Sequence, residues 1–396
     1  MDFENRTEQK DPSRLHRFVW KFARIISIPL CWIKFNFHAK QEKINGPFLL
    51  VCNHNTDWDP ILLARSFPEL IYYVASEHLM RSGLGGKIVR KLMDPIPRQK
   101  GGSASSTVMS VLRRLKKGFN VGIFAEGNRS WDGVTGDILP TIGKLARTSG
   151  AALVTYRLEG GYFSSPRWAG KSIRRGRMDG RVVRIFSPEQ LKAMKPDEIY
   201  ACICEDLFED AYARQRKNPI RYKGRNTAEH LERLIFICPA CRRQGTLQSH
   251  GDTVRCWKCG CSFRYLPTGF LQGDGLPADN LRDWNEWQNE EIRHLCDGAD
   301  DRPIFTDASI RTDEVRAASS VNLLGRGEMK LYRDRLELPG LSLSLQDITG
   351  LAVVGAQDLY VGTSDGRNFE IRSGLVCDMI KYVTACSHLT GINYGV

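Results

Sequence analysis

Several things this sequence lacks narrow its reading before anything it contains. The N-terminal segment Arg17–Lys34 is no membrane span. A spanning helix needs about 20 largely uncharged residues, whereas the uncharged run between Arg24 and Lys34 is nine residues long and holds Pro29. The first dozen residues are polar and of mixed charge, unlike a secretory signal. Cysteine is sparse, 12 in 396 residues, far below the density of a disulfide-stapled secreted domain. That points to a reducing compartment with thiols free or bound to metal. There is no Gly-x-Ser-x-Gly, which argues against a serine lipase. Gly122-x4-Gly127 opens like a phosphate loop, but Asn128-Arg129 stands where Lys-Ser/Thr is required, which excludes that class. Internal repeats and low-complexity tracts are missing too.

What is present reads as a folded chain of two or three domains, 42% apolar and 26% charged. The net charge of +12 is unevenly placed. Residues 1–235 hold 40 basic and 24 acidic side chains, and residues 236–396 hold 17 and 21. The front of the chain therefore expects an anionic partner: nucleic acid, an anionic bilayer surface or a phosphorylated small molecule. Phe18, Phe22, Ile25, Ile26 and Ile33 fall near one helical face, with Arg17, Lys21 and Arg24 on another. Such a segment either lies in a bilayer interface or packs on the protein's own core.

Pro47–Cys52 is an apolar run that feeds the turn formers Asn-His-Asn-Thr-Asp, the pattern of a buried strand. Helices are expected over 61–64, 86–93, 104–117 (capped by Ser103) and 142–148. Strands are expected over 121–125 and 151–158. Strand and helix alternate, so the first fold is α/β with a mostly parallel sheet. A basic loop (Arg167 to Arg184) and one long helix (Glu198–Arg216) close it near Leu234.

His54 and Asp59 form a His-x4-Asp spacing. On a regular helix five residues span about 140° around the axis, so the two can meet only where the chain turns. A carboxylate on one ring nitrogen fixes the tautomer and leaves the other free to accept a proton from a hydroxyl. Glu126-Gly127-Asn128-Arg129-Ser130 again follows a strand and turns at glycine. Arginine there could hold a phosphate. Between the two lies a third turn with Pro97-Arg98.

His54-x4-Asp59, Pro97-Arg98, Glu126-Gly-Asn-Arg129-Ser130 and the apolar strand Ala151–Thr155 follow the block order of the glycerolipid acyltransferases. Over residues 20–215 the chain resembles this family of 1-acylglycerol-3-phosphate and lysophospholipid acyltransferases. The resemblance implies that His54 deprotonates an acceptor hydroxyl, which attacks the thioester of acyl-CoA or acyl-carrier protein, and that Asp59 orients His54. Arg98, Glu126, Gly127, Asn128, Arg129 and Ser130 would bind the acceptor, most simply 1-acylglycerol-3-phosphate going to phosphatidate in phospholipid biosynthesis. No catalytic cofactor is implied. The implied location is cytoplasmic, peripheral on the inner face of a membrane. Ala125 and Asn128 stand where the family usually has Pro and Thr, and the fourth block lacks its prolines, so the acceptor stays open.

Cys238-x2-Cys241 and Cys256-x2-Cys259, 14 residues apart, are spaced as four thiolate ligands of a structural zinc ribbon. The last hundred residues alternate as short β segments with Pro-Gly and Asp-Gly turns and end in a helix (375–389), similar in pattern to pleckstrin-homology or GRAM modules. The expected divisions are a 1–46 membrane-interface segment, a 47–235 acyltransferase domain, a 236–266 zinc ribbon, a 267–302 helical linker and a 303–396 β module. The rival function is a zinc-ribbon nucleic-acid-binding or docking protein on an acyltransferase-like scaffold. Residues 236–396, which carry the ribbon, are net acidic, and within the ribbon Arg242, Arg243, Arg255, Lys258 and Arg264 form only a modest local patch, which argues against nucleic acid.

Overall fold

A computed structural model describes residues 14–76, 90–98, 105–317 and 320–394. Seven strands form the first sheet: β1 (Phe37–Ala39), β2 (Phe48–Cys52), β3 (Ile71–Ser76), β4 (Ile96–Arg98), β5 (Asn120–Phe124), β6 (Ala152–Glu159) and β7 (Met178–Phe186). Their order is β1-β7-β6-β2-β5-β3-β4. Every neighbouring pair is parallel except β6 with β7. The alternation of side chains along a strand explains why both faces are covered. Phe48, Leu50 and Cys52 of β2 join Val154, Tyr156 and Leu158 of β6 against the helix Asp59–Ser66 and Trp20. Leu49, Val51 and Leu153 point the other way, onto helices Ser105–Lys116, Thr141–Thr148 and Pro196–Leu207.

From Met178 onward the expected basic loop is strand β7. Arg181 and Arg184 lie on β7, where Arg181 pairs with Glu159 and Arg184 with Glu205 and Asp206. Their charges look loop-like in sequence but are tolerated because their side chains stay at the surface. The expected single helix over 198–216 is two, Pro196–Leu207 and Ala211–Lys217. Asp210 N-caps the second by accepting from the Ala213 N–H, and Glu209 turns inward at the break. The expected helix over 86–93 and the Ser103 cap lie largely outside the described residues.

The N-terminal helix runs Arg14–Leu30 and continues as a π-turn, Cys31–Phe35. Trp20, Ser27, Cys31 and Phe35 are buried, whereas Phe18 (67% exposed), Phe22, Ile25, Ile26 and Ile33 all face solvent. The apolar stripe is therefore not packed on this chain's own core. Among the described residues no helix is long and apolar enough to cross a membrane.

Beyond residue 235 come β8 (Leu247–His250), β9 (Thr253–Cys256), β10 (Ser262–Tyr265) and β11 (Leu271–Gln272), an antiparallel sheet. The helix Leu281–Asp297, capped by Asn280, follows. A second seven-stranded sheet, wholly antiparallel, comprises β12 (Phe305–Ala317), β13 (Ser320–Leu331), β14 (Arg335–Leu338), β15 (Leu341–Ser344), β16 (Ile348–Val354), β17 (Asp358–Thr363) and β18 (Asn368–Ser373). The helix Ile380–Thr390 ends the chain's regular structure, starting five residues later than expected because Asp378 accepts the first helical N–H groups. One apolar core runs without a break from Trp131, Tyr162 and Trp168 through the cysteine region to this last sheet.

Candidate active site and cysteine cluster

The loops that follow β2 and β5 meet at the carboxyl edge of the parallel strands, beside Arg98 at the end of β4. The β2 loop turns as the residue types suggested. Nδ1 of His54 lies 2.8 Å from Oδ2 of Asp59. Asp59 is wholly buried and opens its helix. Its Oδ2 also accepts from the N–H groups of Asn55 and Thr56, and its Oδ1 from the Thr56 hydroxyl. This carboxylate is thereby fixed from four sides. With Nδ1–H directed at Asp59, Nε2 of His54 is the proton-accepting nitrogen. The imidazole stacks on Phe124, with ring centroids 4.3 Å apart.

The β5 loop is bound to the first. Glu126 does not present its carboxylate to an open site: Oε1 accepts from the His54 N–H at 2.6 Å and Oε2 from the Gly136 N–H at 2.7 Å. Burial pushes its carboxyl up to about 8, against the pull of these two backbone donors. Ser130 donates its N–H to the His54 carbonyl and accepts from Gly133 through Oγ. Gly127, at φ +70°, makes the turn, and a side chain there would strike the Arg98 guanidinium, whose Nη1 lies 2.1 Å from an ideal Cβ. Arg98 thus packs directly on Gly127, where desolvation lowers its pKa. Asn128 is half-buried beside it.

Arg129 is 8% exposed and pairs through Nε with Oδ1 of Asp57 at 3.2 Å. Its Nη1 is buried with no partner among the described residues. A buried guanidinium N–H left unmatched near the His54–Asp59 pair is suited to an anionic oxygen.

Residues not singled out from sequence complete the wall. Asn53 holds Leu158 with both side-chain atoms, Nδ2 to its O and Oδ1 from its N–H. Glu209, at the helix break, accepts from Asn55 Nδ2, the Gly160 N–H and Arg214 Nε. An Asp cap at 210 was the available signal for that break.

Away from this site, Cys238, Cys241, Cys256 and Cys259 bring their sulfurs within 4.8 Å of one another. The pairs Cys238–Cys259 and Cys241–Cys256 are 3.6 and 3.8 Å apart. A tetrahedron with metal–sulfur bonds of about 2.3 Å has edges of about 3.8 Å, so the four thiols fit a closed tetrahedral metal site. Cys261 and His250 are not in the cluster.

No curated protein sequence matches the chain. Solved structures do, among them that of the 1-acyl-sn-glycerophosphate (LPA) acyltransferase PlsC from Thermotoga maritima. It is 16% identical with a TM-score of 0.40, and the match covers 50% of this chain and 82% of that one. Residues 34–159, which hold the His54–Asp59 pair and the Glu126–Ser130 turn, match the Acyltransferase family model. By this match, residues 34–159 of the chain form an acyltransferase domain.

Proposed function

We propose that the protein moves a fatty acyl group from a thioester, acyl-CoA or acyl-carrier protein, onto the free hydroxyl of a lysophospholipid. The acceptor that best fits Arg129 and Arg98 is 1-acylglycerol-3-phosphate, which would become phosphatidate. The observation carrying this reading is the His54–Asp59 pair set beside Arg129, a base and a phosphate-sized cation on adjoining loops.

In this reading Nε2 of His54 takes the hydroxyl proton as the oxygen attacks the thioester carbonyl, and Asp59 stabilises the imidazolium that forms. When the tetrahedral intermediate collapses, the carbon–sulfur bond breaks and the proton passes from His54 to the departing thiolate. Arg129, with Arg98 packed on Gly127, holds the phosphate and so fixes the hydroxyl near Nε2. Glu126 acts within the wall by anchoring the His54 main chain, and Gly127, Asn128 and Ser130 shape the turn.

The exposed stripe Phe18–Phe22–Ile25–Ile26, flanked by Arg17, Lys21 and Arg24, supports a peripheral seat on an anionic membrane surface, here taken to be the inner face of a cytoplasmic membrane. The four clustered cysteines would hold a structural zinc, with no open position for chemistry. The test is a mass-spectrometric screen of a lysolipid panel with each thioester donor, wild type against His54→Ala. Product from the wild type and a loss of about 10²–10⁴-fold in the folded variant are expected. Full turnover by His54→Ala would remove the base from its role.

A further inference from the structure

Arg167 lies outside the matched family segment, in a short 3-10 turn after β6, and only 3% of it is exposed. Its guanidinium spends all three nitrogens on main-chain carbonyls. Nε donates to Gly355 at 2.8 Å, Nη2 to Val353 at 2.6 Å and Nη1 to Arg129 at 3.2 Å. The plane of the group sits 4.2 Å from the Trp131 ring centre. Among the described residues no carboxylate forms an ion pair with it. Burial, and then the neighbouring Arg129 charge, lower its pKa to about 9. Val353 is the penultimate residue of β16 and Gly355 opens the turn into β17, so two of the three carbonyls belong to the last sheet and its turn. Arg233 reinforces the joint, donating to Gln357 in the same turn and to the Trp168 carbonyl.

Burying a charge against dipoles alone is costly, and an apolar contact would glue the two surfaces more cheaply. What the guanidinium adds is geometry: a planar fork that sets one carbonyl at a fixed distance from two others. We infer that Arg167 is a positioning residue, through which the β16–β17 turn of the C-terminal sheet sets the main chain of Arg129 and hence acceptor binding. The sheet is then a working part of the acceptor subsite. This rests on the reading of Arg129 as the acceptor's phosphate ligand.

The test is steady-state kinetics of the full-length protein with 1-acylglycerol-3-phosphate and acyl-CoA, for Arg167→Met, Arg167→Lys, Gly355→Val and Arg129→Ala. Arg167→Met should raise the acceptor KM by about tenfold, the effect of losing one or two charged hydrogen bonds, while kcat and the acyl-CoA KM stay within about twofold. Arg167→Lys should fall between. Gly355 is at φ +62° with open space where a Cβ would go, so Gly355→Val strains the backbone and shifts its carbonyl without a clash. It should raise the same KM by about threefold, from the far side of the joint. A loss confined to kcat in Arg167→Met and Arg167→Lys, or an unchanged acceptor KM in Gly355→Val, overturns the inference. If Arg167→Met does not fold, Arg167→Lys and Gly355→Val decide it. Arg129→Ala separates the two claims: an acceptor KM unmoved there sinks the phosphate reading itself, whereas one that rises while the Arg167 and Gly355 variants stay flat sinks only the coupling.

Discussion

Oε2 of Glu209 accepts a hydrogen bond from Nδ2 of Asn55 at 3.2 Å, tying a break between two helices to the residue next to His54. The same carboxylate holds Gly160 and Arg214. Glu209→Ala would leave an amide, a backbone N–H and a guanidinium without their acceptor. We expect it to cost about 3–5 kcal/mol of stability, as breaking a buried ion pair does, and to lower kcat. Glu209→Gln, which keeps one acceptor oxygen, should be milder on both counts. Urea unfolding and initial rates read the two effects, and a Glu209→Ala protein of wild-type stability would show the network to be idle.

Glu126 gives a pH dependence with a definite sign. Its carboxyl is raised in the folded protein by burial to about 8, against about 4.3 when unfolded. The folded state therefore holds a proton that the unfolded state has released across that interval. The contribution is complete below about pH 4.3 and is lost as pH climbs through about 8. Stability should decline from pH 5 to 8 in the wild type and decline less in Glu126→Gln. Denaturant midpoints at three pH values suffice, and parallel slopes for the two proteins would contradict the assignment.

For the cysteine cluster, purified protein should carry one zinc per chain, and Cys256→Ser should lose it. Because Cys238 and Cys256 sit in the core that also holds Trp131 and Trp168, chelation should lower Tm and slow acyl transfer together. A folded, fully active preparation free of metal would refute the site.

The N-terminal helix makes a surface prediction. Phe18→Asp with Phe22→Asp should weaken binding to vesicles containing anionic phospholipid. Removing two aromatic side chains that enter the bilayer on binding forfeits about 1.5–3 kcal/mol each. Activity on micelle-dispersed acceptor should change far less. Equal vesicle binding by the double variant and the wild type in a flotation assay would rule out this face as the membrane seat.

The parts of the site that sequence made legible are those in which one local pattern carries both fold and chemistry. A β-run followed by Asn-His-Asn-Thr puts His54 on a turn, and Gly127 marks the next. What stayed hidden depends on long-range packing. Periodicity carried the helix through Phe208-Glu209 although the chain bends there, and the arginines of β7 masked a strand. Nothing around Arg167 announces that two of its three partners lie some 190 residues away. A division near residue 235, natural from charge, cuts through a single apolar core. The antiparallel character of the last hundred residues was legible from its turn dipeptides, while its hold on Arg129 was not.

The π-turn that follows the N-terminal helix ends on Phe35, whose ring lies 5.9 Å from that of Trp58, and Lys34 rests over the same indole. Trp58 stands between Asp57 and Asp59, at the end of the loop that carries His54. In the proposed membrane seat, then, the N-terminal helix and the His54 loop share one seam of packing. An amphiphilic acceptor could arrive by lateral diffusion and leave the same way, its tails never crossing water. Encounter frequency would scale with surface density of lipid in the leaflet, and bulk concentration would cease to be the relevant variable.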